Sequence, residues 1–318
     1  LVREICNHAI TAWRQLHRCS YDRRGTPISL ELKFPWGIQI FWGNANEYLW
    51  CRSVGPHVLR CAFMALEEWC FAELERKTSA DELIRTIVEG NECVAILSVA
   101  AMIALQTKIL SETVFSLISS QRLLDMDQRR WIHDVTSPPA SLIGFMEASD
   151  GPHIEAVKKI EDKGVRREQL SWMVPLFFFS LDYGQKTRDS ILNFQNELPF
   201  EYEEHRNDPK ANAQLRAQAI EYVELVDRNN YQVRQVEGTP GQIAIAHVSP
   251  TKSAPEIIAK DKEASKRLGE CNLYIWAEKS LKKSARDEAY TVEKAVDSAR
   301  EIIANGLFRV SQSADEDF

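Results

Sequence analysis

The sequence lacks the signatures of several large classes of protein. It has no Gly-x-x-x-x-Gly-Lys-Ser/Thr loop to present consecutive backbone N–H groups to nucleotide phosphates, which excludes a P-loop NTPase core. Its longest apolar run spans only residues 93–105, shorter than the roughly 20 residues that a helix needs to cross a bilayer. No basic and then apolar secretory segment follows Leu1, which is not Met. We therefore expect a cytoplasmic piece of a larger protein, without membrane contact.

Paired cysteines and metal-ligand spacings are also missing. The seven cysteines are an odd number scattered through apolar stretches, which favours reduced, buried thiols over a disulfide framework. The residues that come nearest to a zinc set, without matching any paired-ligand spacing, are Cys51, His57, Cys61 and Cys70. We predict no metal site and no cofactor site in this segment.

No nucleophile and base stand at a productive spacing. His17 and Cys19 are two residues apart, which would point their side chains away from each other on a helix. His133 and Asp134 lie near a predicted helix end, where a histidine that meets the helix dipole is more typical than a general base. We predict no catalytic residue, and the alternative is an enzyme assembled in space from His133, Asp134 and a distant cysteine.

Excess positive charge is absent overall but present locally. The formal net charge is −7, which argues against a protein that mainly grips phosphate backbones. Residues 1–60 nevertheless hold more basic than acidic side chains. These basic residues either form a solvated helix face or serve in sensing a nucleic acid or another ligand. In the second interpretation the candidate contacts are Arg14, Arg18, Arg23 and Arg24.

What the sequence does contain is helical periodicity. Apolar residues recur every three or four positions, which predicts a mainly α-helical, stacked and solenoid-like array. Residues 93–105 are apolar on every side, which indicates a helix surrounded by others. Helices are predicted near 1–17, 55–77, 79–90, 93–105, 111–120, 121–134, 154–163, 168–182, 185–197 and 208–229, and two more run from 255 to about 306.

Particular residues are predicted to start and orient these helices. Ser79 and Glu82 have the spacing of a capping box. Asp208 precedes a proline and is expected to cap the helix that follows it. In the helix at 55–77, the apolar face is predicted to include Leu59, Phe63 and Trp69.

Two stretches alternate polar and apolar residues, which predicts β-hairpins inserted among the helices, at about 28–42 and 231–248. Two domains are expected, 1–200 and 201–318, which are alternatively one continuous module. The acidic group near 197–204 is interpreted as a solvated linker. An aromatic cluster at the first hairpin either forms an interaction surface or pins the hairpin onto helices, and its members are Trp36, Phe41, Trp42, Tyr48 and Trp50.

Several short stretches carry a resemblance to a known family. They are residues 32–43, 65–69, 89–91, 197–200, 208–209, 227–231 and 275–280. Together they resemble the helical part of large bacterial STAND-type, AAA+-like ATPases, several of which are associated with defence against phage. The resemblance implies that this segment lies outside the NTPase core. ATP and Mg²⁺ would then bind elsewhere in the parent protein, and only if that protein carries a P-loop domain.

The leading hypothesis is a non-catalytic module that transmits a signal through protein contacts. Successive helices, inserted hairpins and missing active-site motifs favour it. The expected partners are other domains of the same protein and either a second copy in a homo-oligomer or an effector protein. Nucleic acid is the alternative partner.

Overall fold

A computed structural model describes residues 1–18, 25–52, 55–136, 163–235 and 243–250. In these ranges the chain is mainly helical with two small antiparallel hairpins, which confirms the predicted fold class. The predicted helices at 154–163 and beyond 255 lie outside the described residues.

The described ranges contain ten α-helices and four strands. The helices are α1 Val2–Arg18, α2 Ala45–Tyr48, α3 His57–Glu75, α4 Ala80–Val88, α5 Ala95–Thr107, α6 Glu112–Ile118, α7 Gln121–Thr136, α8 Met173–Phe178, α9 Gly184–Leu192 and α10 Pro209–Glu224. The strands β1 Leu30–Phe34 and β2 Gly37–Phe41 form the first hairpin, and β3 Tyr231–Gln235 and β4 Ile243–His247 form the second.

The chain divides into two compact units, Leu1–Asp227 and Arg228–Phe318. The first unit extends beyond the boundary predicted at 200 because α10 is bonded to α7. The Gln121 side chain donates to the Leu215 carbonyl at 3.2 Å, and the Tyr222 hydroxyl donates to Asp125 at 2.8 Å. These contacts make α10 part of the first unit.

Helix α5 is the centre of the first unit. Every residue from 93 to 105 is at most 1% exposed, as the all-apolar sequence predicts. Its small alanine side chains let α2, α3, α4, α6 and α7 approach it closely. Full burial of each Leu or Ile side chain is worth roughly 1.5–3 kcal/mol, so this helix contributes strongly to the core.

The predicted apolar face of α3 is confirmed in part. Leu59 and Phe63 are buried as predicted, but Trp69 is 42% exposed. The buried stripe continues instead through Glu67, which is 1% exposed, to Cys70. Two arginines from other parts of the chain neutralise Glu67, and this pairing draws a charged residue into the core.

Helix starts are placed largely as predicted, although the capping contacts differ. Helix α4 follows Ser79, but the Ser79 side chain makes no capping hydrogen bond. A reciprocal contact of the capping-box kind occurs at α2, where Glu47 accepts from the Asn44 backbone N–H at 2.9 Å. Asp208 caps α10 as predicted, because its carboxylate accepts from the backbone N–H of Lys210.

A network of six buried charged side chains connects segments that are distant in sequence. The Arg52 guanidinium bonds Glu67 at 2.9 Å and Asp134 at 3.1 Å. No side chain of the network is more than 8% exposed, and its positive and negative charges balance. The three positive members are Arg52, Arg130 and Arg166, and the three negative members are Glu67, Asp127 and Asp134. We call these six residues the charge network.

The charge network also holds the backbone of residues 163–170. Arg130 donates to the carbonyls of Arg166 and Glu168, at 3.1 and 2.6 Å. The Asp127 carboxylate accepts from the Leu170 N–H at 2.6 Å. Burial alone would raise the pKa of Glu67, but Arg52 and Arg166 outweigh it and hold that pKa below its usual range. The network is therefore ionised, and it ties this segment to both α3 and α7.

Two neighbouring glutamates on α3 allow a direct test of the charge network. Glu67→Ala leaves two buried arginines without this partner, and we expect it to lower the free energy of unfolding by about 3–5 kcal/mol. Glu68 instead pairs with Lys163 near the surface, with 37% of its side chain exposed, so Glu68→Ala should cost only about 0–1 kcal/mol. Urea denaturation measures both. Equal losses in the two variants would contradict a special role for the buried network.

Candidate interaction surface and polar cavities

The first hairpin presents two faces of opposite character. Strands β1 and β2 pair antiparallel across a two-residue turn, which opposes Glu31 to Ile40 and Lys33 to Ile38. These four side chains are exposed, Ile38 by 67% and Ile40 by 46%. We call them the hairpin outer face. The opposite face packs into the core through Leu30, Leu32, Phe34 and Phe41.

The aromatic cluster predicted beside this hairpin is mostly a packing feature. Phe41 and Tyr48 are 0% exposed and belong to the core, so they cannot form an interaction surface in this fold. Trp36, Trp42 and Trp50 are half-buried. The Trp36 ring stacks on Phe34 with centroids 4.6 Å apart. These contacts favour the second of the two interpretations, in which the cluster pins the hairpin onto the helices.

Of the predicted basic contacts, Arg14 has a side chain that the structure describes. The Arg14 guanidinium lies 3.8 Å from the centre of the Trp42 ring and 3.8 Å from the Glu92 carboxylate. Arg18 ends α1, with a side chain outside the description, and Arg23 and Arg24 lie outside the described residues. Arg52 is one of the basic residues counted in 1–60, but its charge is paired with Glu67 and Asp134 inside the charge network.

Four of the five cysteines in the described ranges are packed in the interior. Cys6, Cys51, Cys70 and Cys93 are free and buried, whereas Cys61 is exposed. Burial raises the pKa of Cys6 and Cys70 to about 12, which opposes formation of a reactive thiolate. Among the residues with a described position, no three His, Cys, Asp or Glu side chains converge as metal ligands. The His57 side chain lies outside the description.

The His133–Asp134 pair belongs to the charge network. Asp134 accepts from Arg52 and Arg130, and its carboxylate lies 3.6 Å from His133 Nδ1. Burial alone would raise the pKa of Asp134, but Arg52, His133 and Arg130 together hold it far below its usual range. A carboxylate bound by two arginines is a structural anion, and this placement does not favour the alternative of general-base catalysis.

The acidic segment near 197–204 is more than a solvated linker. The Glu204 carboxylate accepts from the backbone N–H and the hydroxyl of Thr26, at 2.7 and 3.0 Å. The Glu201 carbonyl accepts from the Ile28 N–H, and its carboxylate from the Ala45 N–H at 3.2 Å. The segment is therefore fastened to the chain just before β1.

Arg122 is a further buried cation that sequence reasoning missed. It is 5% exposed, and it donates to the carbonyls of Ile28 and Gly43 and to the Asn44 side-chain oxygen, at 2.8–3.0 Å. In the described ranges no carboxylate forms an ion pair with it, and its Nε has no hydrogen-bond partner. Burial lowers the pKa of Arg122, and the negative charge of Glu201 partly opposes this shift. Arg122 therefore carries a buried positive charge with one unused donor.

Two cavities adjoin Arg122. One, of about 330 Å³, opens at the start of α7 beside β1 and the 193–200 segment. We call it the α7 cavity. The other, of about 220 Å³, runs along α7 towards α10 and includes Asp125, Arg129 and His205. Burial raises the pKa of Asp125 to about 7, although its hydrogen bond from Tyr222 opposes this.

The chain matches no protein-family model and no curated protein. The resemblance to STAND-type ATPases therefore stays a prediction. Among the helices of the described residues, none combines the length and apolar character needed to span a membrane.

Asp125 makes stability depend on pH. Its folded pKa of about 7 exceeds the unfolded value of about 4, so the folded state retains a proton between these pH values and stability falls as pH rises through them. Asp125→Asn keeps an acceptor for Tyr222 and removes the buried charge. We expect its stability gain over the natural chain to grow by roughly 2–3 kcal/mol between pH 5 and pH 8.

Urea denaturation at the two pH values measures this difference. Asp189→Asn is the matched control, because Asp189 is an exposed aspartate on α9. A gain from Asp125→Asn that is the same at pH 5 and pH 8 would show that the Asp125 carboxyl does not titrate in this interval.

Proposed function

We propose that this chain is a non-catalytic helical module that transmits a signal through protein contacts, as part of a larger bacterial NTPase that acts in phage defence. The hairpin outer face is the observation that carries the contact role. It presents two large aliphatic side chains to solvent on a support that cannot move independently of the core. The resemblance described above supports the wider setting.

The support of this surface is rigid for identifiable reasons. Leu32, Phe34 and Phe41 on the inner side of the hairpin are at most 3% exposed. The Ser116 hydroxyl donates to the Lys33 carbonyl at 2.6 Å, which fixes β1 to α6. After β2, the Trp42 N–H donates to the Glu92 carbonyl, and the Trp42 carbonyl accepts from Val94. A rigid mount reduces the entropy lost when a partner binds.

The partner that fits this surface is a second copy of the chain. Glu31 and Lys33 lie on one strand, and Ile38 and Ile40 lie opposite them on the other. Two such faces related by a two-fold axis bring Glu31 of one copy towards Lys33 of the other while the isoleucines meet. The face is therefore complementary to itself in both charge and hydrophobicity. Its small size predicts a weak dimer that depends on concentration.

The second hairpin provides a matched control for the apolar contact. Val233 and Ile245 face each other across β3 and β4 and are 68% and 57% exposed. We expect Ile38→Thr/Ile40→Thr to weaken self-association by about tenfold or more, because the meeting isoleucines are removed, whereas Val233→Thr/Ile245→Thr leaves it unchanged. Sedimentation velocity over a range of protein concentrations measures the dissociation constant.

A charge exchange tests the two-fold arrangement itself. Glu31→Lys places like charges against each other and should weaken the dimer, and the exchange Glu31→Lys/Lys33→Glu should restore it. A natural chain that stays monomeric at every concentration would refute the proposed partner. Failure of the exchange to restore association would refute the two-fold geometry.

A further inference from the structure

The α7 cavity combines several groups that attract an anion. Helix α7 begins at Gln121, after Ser119 and Ser120, and all of these residues line the cavity together with Arg122. The Ser120 hydroxyl accepts from the Leu123 N–H, whereas the backbone N–H groups of Gln121 and Arg122 have no partner among the described residues. The cavity therefore lies at the positive end of a long helix, where N–H groups are free to donate.

A second observation is independent of the helix end. Arg122 is 95% buried, lines the cavity and retains an unpartnered Nε, while the neighbouring Gln121 retains an unpartnered Oε1. A buried polar atom without a hydrogen bond is unfavourable, because it has lost its contacts with water and gained none in return. A ligand that supplies an acceptor to Arg122 relieves this penalty, and an anionic acceptor also compensates a guanidinium that forms no ion pair in the described ranges, although the charges of Glu201 and Glu47 act on it.

The remaining lining defines the rest of the ligand. Ser29, Ser190 and Asn193 contribute hydroxyl and amide groups, and the acidic side chains of Glu31 and Glu197 also line the cavity. Carboxylates repel an anion but accept hydrogen bonds from hydroxyl groups. A ligand that fits this lining therefore has an anionic group at one end, near the start of α7, and uncharged hydroxyl groups at the other. A volume of about 330 Å³ is at the small end of the range for ligand sites.

We infer that the α7 cavity binds a small phosphorylated polyol, such as a sugar phosphate. Its phosphate accepts from the Arg122 side chain and from the free N–H groups at the start of α7, and Arg206, which also pairs with Glu203, offers a further donor at the rim. Its hydroxyls meet the serine, asparagine and glutamate side chains. The inference does not require the proposed dimer, because all residues that line the cavity belong to one copy of the chain.

The probes are glucose 6-phosphate, glucose, inorganic phosphate and citrate, titrated into the full chain by isothermal calorimetry. We expect glucose 6-phosphate to bind about tenfold more tightly than inorganic phosphate, and glucose to show no binding, because both halves of the site contribute. Absence of glucose 6-phosphate binding overturns the proposal. Tighter binding of citrate than of glucose 6-phosphate also overturns it, in favour of a carboxylate site.

Variants locate the binding. Arg122 is not the first choice, because it also bonds two backbone carbonyls. Arg206→Ala removes an exposed cation at the rim and should weaken glucose 6-phosphate binding several-fold, whereas Arg216→Ala, which removes an exposed arginine outside the cavity lining, should not. Ser190→Phe fills the cavity and should abolish binding while circular dichroism shows an unchanged helix content. Binding that persists equally in all three variants would place the ligand elsewhere and refute this site.

Discussion

Neutralisation of buried charge is the constraint on which the first unit depends. Three arginines and three carboxylates are removed from water in the charge network, and each would be very costly to bury alone. Their partners come from the turn at 49–52, α3, α7 and the 163–170 segment. These pieces must therefore be ordered together. The apolar helix α5 supplies hydrophobic stabilisation, whereas the charge network specifies which segments pack together.

The sequence predicts the secondary-structure elements of this fold better than it predicts the buried ion pairs between them. Period and composition are local properties, and they placed helices α3 to α7, the fully buried α5 and both hairpins. Burial of Glu67 depends on Arg166, which is nearly one hundred residues away, and no local pattern contains that information. The same limit led to the wrong position for Trp69, since an apolar face was assigned without knowing that a glutamate would be neutralised.

The candidate surfaces were predictable to different extents. The alternation of residues 28–42 correctly identified the hairpin, but aromatic content drew attention to Phe41 and Tyr48, which are core residues. Arg122 and Asp125 gave a weak local signal, as charged residues on the same side of α7 as the buried Met126. Burial raises the pKa of Asp125, and the carbonyls of Ile28 and Gly43 hold Arg122 in the interior, and only the folded chain creates these surroundings.

Glu31 has a position that joins two otherwise separate surfaces. Its side chain belongs to the exposed side of the first hairpin, and it also lines the cavity at the start of α7. Any molecule that changes the orientation or charge of this carboxylate from within the cavity alters what the hairpin presents outside. Thermodynamic linkage makes such an effect mutual, so association at the hairpin would change affinity in the cavity by the same factor. Through the Glu31 carboxylate, the binding of a small ligand in the cavity and the association of the protein at the hairpin would be energetically coupled.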